Sequence, residues 1–385
     1  MESFRQQLRA RLEGILAPRL ERIERDQSWQ AQTEALSELG EHGYLAMLFA
    51  DSFPGAVPGR GLVATAVMSE ELAYLNYAFE TTVASTLSCA KTFYDYAPDG
   101  LKQRYLPGIL RGSEVSAIGM TEPQAGSDAA AMKTRLEVDG DHYVITGFKR
   151  YISNAGVASS YLVYGLTDPA QGAARGMTAV VVPADTPGLS CPRTYSFMGR
   201  NGSVVGEVKL EGCRVPATNV LGQVGGGFKI MLSMLNFERI LVGASSLGVA
   251  RSAFDEARRH AQQRHAFGQP LGSKQLIWSR IADMSWRIDS ARALTYAAAR
   301  CYDEGARGKA LMKEAATAKL VGSEAAGFCA DAAVQILGGD GLTKEYGRVE
   351  QIYRDARALT IAGGTSEMVR YLIARTALPD IALNL

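Results

Sequence analysis

Thr121-Glu-Pro-Gln-Ala-Gly-Ser-Asp128 follows directly on the apolar run Val115-Ser-Ala-Ile-Gly-Met120. The hydrophobic period changes at this point, and that change decides how the chain is built. The run reads as a strand that ends in a Thr-Glu-Pro turn and opens into a Gly-Ser loop. Thr121 and Ser127 supply hydroxyls, Pro123 fixes the backbone, and Gly126 lets the main chain approach a ligand closely. A strand feeding such a loop is suited to holding a cofactor.

Upstream of the octet the pattern is helical, with amphipathic stretches at 3–17, 28–42, 61–76 and 98–111. A loop from Phe53 to Gly61 with two prolines and three glycines interrupts them. Downstream, short β-branched runs take over: Leu136-Glu-Val138, His142–Thr146, Ser160–Leu166, Thr178–Pro183 and Val205–Leu210. The turn Val138-Asp-Gly-Asp-His142 signals a hairpin. After Gly225-Gly-Gly227 helical periodicity returns over 228–262, 272–304 and 309–336, then 344–356 and 364–377. The order predicts an α+β chain: an N-terminal helical domain (1–112), a small central β-barrel or sheet domain (113–222) and a C-terminal four-helix bundle (223–385).

The chain has 385 residues, 47% hydrophobic and 21% charged, with net charge +1. That length predicts two or three domains. The charge balance gives no reason to expect nucleic acid or an anionic membrane surface. No apolar stretch is expected to cross a bilayer, and the acidic residues among the arginines of the first 26 positions argue against a transit peptide. Five scattered cysteines and four histidines without metal-ligand spacing predict reduced thiols, a cytoplasmic location and no metal site. Gly338-Gly-Asp-Gly341 follows a helical run instead of a strand, so it is not a dinucleotide-binding glycine turn.

Several separated motifs resemble the acyl-CoA dehydrogenase family. They are the Thr121 octet, Lys149-Arg-Tyr-Ile-Ser-Asn-Ala-Gly156, Arg264-His-Ala-Phe-Gly-Gln-Pro270, Gln335-Ile-Leu-Gly-Gly-Asp-Gly341, Tyr353-Arg-Asp-Ala-Arg357 and Ile361-Ala-Gly-Gly-Thr-Ser-Glu367. The resemblance implies FAD as cofactor, with Met120, Thr121, Ser127, Tyr151, Ser153, Thr365 and Glu367 at one flavin. Tyr151 and Ser153 stand where the family has Trp and Thr against the ring. It also implies that Arg264, Phe267, Gln275, Gln335, Gly338 and Gly339 reach the flavin of a neighbouring subunit, so that the protein is a homotetramer or homodimer. Singly, each motif also has an ordinary reading: a helix-end cation, a strand aromatic, a helix stop, a turn.

Many family members carry a catalytic glutamate where this chain has Gly363. Glu238, in Leu235-Asn-Phe-Glu-Arg-Ile240, is the alternative acid. Its helical neighbours Met234, Leu235, Leu241 and Val242 are apolar, an expensive setting for a carboxylate without a purpose. The position is similar to that of the base in isovaleryl-CoA dehydrogenase. Two readings stand: a base with a raised pKa, or an ion pair with a nearby arginine. On the first, the resemblance implies that Glu238 takes the α-proton of an acyl thioester while the β-hydride passes to flavin N5. The Gly363 N–H would polarise the carbonyl, giving a trans-2-enoyl thioester. Asn236, Arg239, Thr82 and Ser85 are the implied substrate contacts. The resemblance further implies a substrate bound to coenzyme A or to an acyl carrier protein, and an electron-transfer flavoprotein as electron acceptor. Rival readings are another reaction on the same fold, such as a thioester oxidase or desulfinase, and a silent flavin-binding scaffold.

Overall fold

A computed structural model describes residues 2–53 and 59–383. Residues 54–58, most of the loop expected between Phe53 and Gly61, lie outside the described residues. The N-terminal part holds α1 (Glu2–Leu16), α2 (Leu20–Glu24), α3 (Trp29–Glu41), α4 (Gly61–Leu75), α5 (Tyr77–Tyr96) and α6 (Asp99–Leu110). Asn76 separates α4 from α5. Its extended backbone ends the first helix, and its side chain accepts from the Phe79 amide at 2.7 Å to start the second.

Eight strands form the central sheet: β1 (Ser116–Gly119), β2 (Arg135–Asp139), β3 (His142–Ser153), β4 (Ser160–Leu166), β5 (Met177–Pro183), β6 (Leu189–Ser190), β7 (Val205–Pro216) and β8 (Val220–Leu221). Their order is β6-β7-β3-β2-β4-β5-β8, with β1 pairing parallel to β4. The short helix α7 (Gly172–Gly176) lies between β4 and β5. The expected hairpin joins β2 to β3, with Asp139 opposite His142. The long strand β3 pairs antiparallel with β7, and its register slips between Ile145 and Gly147 and again between Lys149 and Ile152. The second irregularity falls on the Lys149 motif.

The C-terminal part contains α8 (Gly227–Gln263), α9 (Gln275–Asp303), α10 (Lys309–Leu337), α11 (Val349–Leu359) and α12 (Ser366–Ala377). Between α8 and α9 a small hairpin pairs His265–Ala266 with Gln269–Pro270. The long helix α8 runs through the middle of the molecule and packs against α4, α5, α9 and α10. Gly243 and Gly322 let α8 and α10 touch: a Cβ on Gly322 would lie 3.0 Å from the Gly243 carbonyl oxygen.

One expectation fails on composition. Gly227–Gln263 and Lys309–Leu342 are both long and apolar enough to cross a membrane. Both pack within the bundle, as core helices with much of their apolar length buried. The N-terminal helix is tied in by charge. Glu70 and Glu71 of α4 are fully buried and bind Arg5, Arg9 and Arg251, while Tyr296 donates to Glu70 at 2.5 Å.

Candidate active site

The β side of the site is built by the end of β1 and the bulge of β3. The Arg150 amide donates to the Thr121 carbonyl at 2.8 Å, so the start of the octet lies beside the bulge. Tyr151 adopts φ +57, a conformation that costs a bulky residue energy and clusters at functional positions. Its ring is 53% exposed and stands 5.0 Å from that of Tyr195. An aromatic side chain strained outward from a strand is doing something other than packing on its sheet. Thr121, Met120 and Ser153 are half-buried nearby in the sequence of the two strands, and Ser127 is exposed on the loop. The loop itself is pinned by Glu122, only 4% exposed, which binds Lys149 at 2.8 Å and accepts from the amides of Lys133 and Thr134. Burial alone would raise the Glu122 pKa; Lys149 and these donors hold it below the ordinary carboxylate value.

The helical side is built by α8. Glu238 is half-buried and, among the described residues, has neither an ion-pair partner nor a hydrogen-bond donor. Its carboxylate is reachable by solvent yet ringed by protein. That desolvation raises its pKa, against the opposing charges of Arg239 and Lys319. Its charge is felt by the Cys89 thiol on α5 and the Tyr164 phenol on β4, both raised chiefly by burial. Next to it in sequence, Met234 and Phe237 of α8 line a small surface pocket with Ser88, Lys91 and Thr92 of α5 and Tyr302 of α9.

Arg239, 5% exposed, turns away from Glu238 and donates through Nε to the Gly363 carbonyl at 3.1 Å. Its Nη1 donates to the Asn236 side-chain carbonyl at 3.1 Å, and the Asn236 amide donates to the Gly308 carbonyl at 3.0 Å. Gly363 has φ +68, and a Cβ there would lie 3.5 Å from Val242, one turn beyond Glu238 on α8. The Gly363 N–H has no acceptor among the described residues. Thr365 caps α12 by accepting from the Met368 amide, and Glu367 is exposed in the first turn.

Of the four expected substrate contacts, three have hydrogen-bond partners within the protein. Thr82 is 1% exposed and its hydroxyl donates to the Gln32 side chain at 2.9 Å, so it is committed inside the N-terminal domain. Asn236 and Arg239 bond to each other and to the Gly308 and Gly363 carbonyls, and so support the loop. Ser85 remains half-buried on α5.

A second group of expected residues sits far from Glu238. Arg264 caps the end of α8, about 40 Å further along at about 1.5 Å per residue. Phe267, at the tip of the small hairpin, has φ +55 and is 95% exposed. Gln275, Gln335, Gly338 and Gly339 are also exposed, at the start of α9 and the end of α10. Within one chain Arg264 lies too far along α8 to reach Glu238.

Most of the chain is matched by three domain descriptions in register with this architecture. Residues 1–113 match Acyl-CoA dehydrogenase, N-terminal domain; 117–213 match the middle domain; 225–378 match the C-terminal domain. This chain belongs to the acyl-CoA dehydrogenase family. The probable acyl-CoA dehydrogenase YngJ of Bacillus subtilis is 37% identical over 94% of both chains. Butyryl-CoA dehydrogenase from Megasphaera elsdenii superposes with TM-score 0.91 at 32% identity, covering 97% of this chain and 98% of that one. The prolyl acyl carrier protein oxidase AnaB superposes equally well, TM-score 0.91, at 28% identity over 97% and 98%.

Members of the acyl-CoA dehydrogenase family are FAD-dependent oxidoreductases, and the residues here fit that cofactor. An exposed, flat aromatic ring at Tyr151, with the hydroxyls of Thr121, Ser127 and Ser153 on the same two segments, is the donor set a flavin ring and its ribityl chain require. Sequence reasoning missed the Glu122–Lys149 lock, although a lysine opening a strand motif and an acid inside the octet were both visible. It also missed Lys319, which carries no motif.

Proposed function

We propose that the protein dehydrogenates an acyl thioester across its α,β bond, with Glu238 as the base that takes the α-proton. The observation that carries this reading is a carboxylate ringed by protein with no cation paired to it, one helical turn from the residue that packs on Gly363. An acid in that setting holds a pKa nearer neutrality and accepts a proton more readily. The ion-pair reading of Glu238 finds no support, because Arg239 is engaged with Gly363 and Asn236.

The remaining groups have positioning roles. The Gly363 N–H, left free, donates to the thioester carbonyl, and Arg239 fixes its orientation by holding the carbonyl of the same residue. A donor preset toward developing negative charge is worth several kcal/mol in such a site. When bound, the flavin supplies the acceptor for the β-hydride. Thr121, Ser127, Tyr151, Ser153, Thr365 and Glu367 hold it from one subunit, and Arg264, Phe267, Gln275, Gln335, Gly338 and Gly339 from a neighbour, so the working unit is a homodimer or homotetramer. An electron-transfer flavoprotein takes the electrons onward. Both coenzyme A and an acyl carrier protein present a pantetheine arm. The likeness to AnaB is the reason to assay the carrier-protein thioester beside the CoA thioester.

The test is Glu238→Gln. It is expected to retain FAD while losing anaerobic bleaching of the flavin by acyl thioesters, by about 1000-fold or more in rate. Bleaching at the parent rate would refute the assignment of the base.

A further inference from the structure

Glu80 of α5 is 2% exposed and, among the described residues, has no cation paired with it. Glu70, Glu71 and Glu122 are comparably buried, and each binds an arginine or a lysine of the chain. A carboxylate kept from water without a cation is costly, and a glutamine of the same shape would avoid that cost. Ser69 of α4 donates to Glu80 at 2.5 Å, and the Ser245 hydroxyl of α8 lies 3.1 Å from that of Ser69. Arg200 acts on Glu80 only through space and donates to Ser203 at 2.9 Å. Ser245 stands two turns beyond Glu238 on the same face of α8, about 10 Å away at about 1.5 Å per residue. Two hydroxyl contacts therefore tie Glu80 to the face of α8 that carries Glu238. The helices meet again further along, where Ser88 and Thr92 of α5 line one pocket with Met234 and Phe237 of α8. Between the two meeting points, half-buried residues interrupt otherwise buried runs: Thr81, Ala84 and Ser85 on α5, Glu238 and Val242 on α8. Each set recurs at three- and four-residue intervals and so shares one face. Gly363, whose Cβ would meet Val242 at 3.5 Å, is half-buried too. The seam is thus open around Glu238 and closed beyond it by Ser245, Ser69 and Glu80.

We propose that the seam between α5 and α8 takes acyl chains that carry a basic amino group away from the thioester, and that Glu80 selects them by pairing with the ammonium. This substrate class rests on the reading of the site as a thioester dehydrogenase with Glu238 as base. A hydroxyl on the chain would be served as well by a glutamine or a serine at this place; only a cation calls for a carboxylate. Ala84 and Ser85 are small, which leaves width for a slender chain along the seam. A span of about 10 Å corresponds to roughly eight bonds of extended chain, less the reach of Glu80 itself. Without a bound cation, burial pushes the Glu80 pKa up to about 7, so the acid gives up its proton readily when an ammonium arrives beside it. The substrate then supplies the charge that arginines supply to Glu70 and Glu71.

The experiment uses hexanoyl-CoA and octanoyl-CoA with their ω-hydroxy and ω-amino forms, compared at equal chain length. Binding is read from the flavin spectrum of the FAD-loaded Glu238→Gln variant, and anaerobic bleaching from the parent holoenzyme. At one chain length or both, the amino thioester is expected to bind at least about tenfold more tightly than the plain one and to bleach the parent faster. Adding Glu80→Gln cuts affinity for that amino thioester by about 100-fold and reverses the order. Glu80→Asp keeps the charge and keeps the order. The order in the parent series requires no change at Glu80, so it decides even if the Glu80 variants do not fold. Plain thioesters that bind and bleach as well as the amino ones overturn the proposal, and so do hydroxy thioesters that surpass them. An amino preference that survives Glu80→Gln overturns it as well. In each of these cases the dehydrogenase reading stands, provided some thioester bleaches the parent and leaves Glu238→Gln unbleached. If no thioester bleaches the parent, the dehydrogenase reading fails and the amino-acyl class fails with it.

Discussion

At the scale of single residues, the site is organised by what Arg239 does with its fork. It makes two bonds, to Gly363 and to Asn236, and Asn236 makes a third to Gly308. Lysine has one point charge where arginine has a planar set of donors, and cannot serve Gly363 and Asn236 together. Arg239→Lys is therefore expected to lower kcat by about 10- to 100-fold, since a loop displaced slightly from its productive place costs on that order. FAD content and melting temperature stay close to the parent, which stopped-flow flavin reduction and a thermal scan can check. The sequence made Glu238 legible because a carboxylate interrupts an apolar helical stripe, a contrast that periodicity alone exposes. It did not reveal the internal bonds of Asn236, Arg239 and Thr82, because a polar side chain on a helix has the same signature whether it faces a ligand or a neighbouring carbonyl. Lys319 was invisible for a related reason: lysine on a helix reads as surface until three-dimensional packing buries it.

At the scale of elements, three helices meet at a buried acid. Glu80 of α5 is 2% exposed; Ser69 of α4 donates to it at 2.5 Å, and Ser245 of α8 lies 3.1 Å from Ser69. Among the described residues no cation is paired with it, and burial pushes its pKa up to about 7. The folded state thus holds this proton more tightly than the unfolded chain. Stability is not reduced by this group below about pH 4.5 and falls as pH rises toward 7. Glu80→Gln keeps an acceptor for Ser69 and never ionises. Its melting temperature should match the parent in acid, exceed it increasingly above about pH 5, and lead by the widest margin above 7. The elements themselves were largely readable, since strongly periodic helices and short β-branched strands announce their type. The full length of β3 was not, because Gly147, Lys149 and Arg150 break the alternation where the bulge turns Tyr151 outward. The hairpin at 265–270 was also missed, since strands of two residues carry no period.

At the scale of the molecule, the separation of Arg264 from Glu238 along one helix predicts a site divided between subunits. Arg264→Ala and Glu238→Gln should each form inactive or nearly inactive homo-oligomers. Hybrids prepared by co-expression, purified through distinct tags, should recover activity, because one site in each pair draws Glu238 from the first chain and Arg264 from the second. Turnover in the hybrid fraction checks this, and its absence would place the flavin within a single chain. Leu276, Trp278 and Trp286 on α9, all more than half exposed in the single chain, offer an apolar face for such association. The buried bond between Glu122 and Lys149 has its own consequence for how the prosthetic group is acquired. A cradle already rigid before its guest arrives surrenders little conformational freedom on loading, so the contacts made there convert almost undiminished into tenacity of retention.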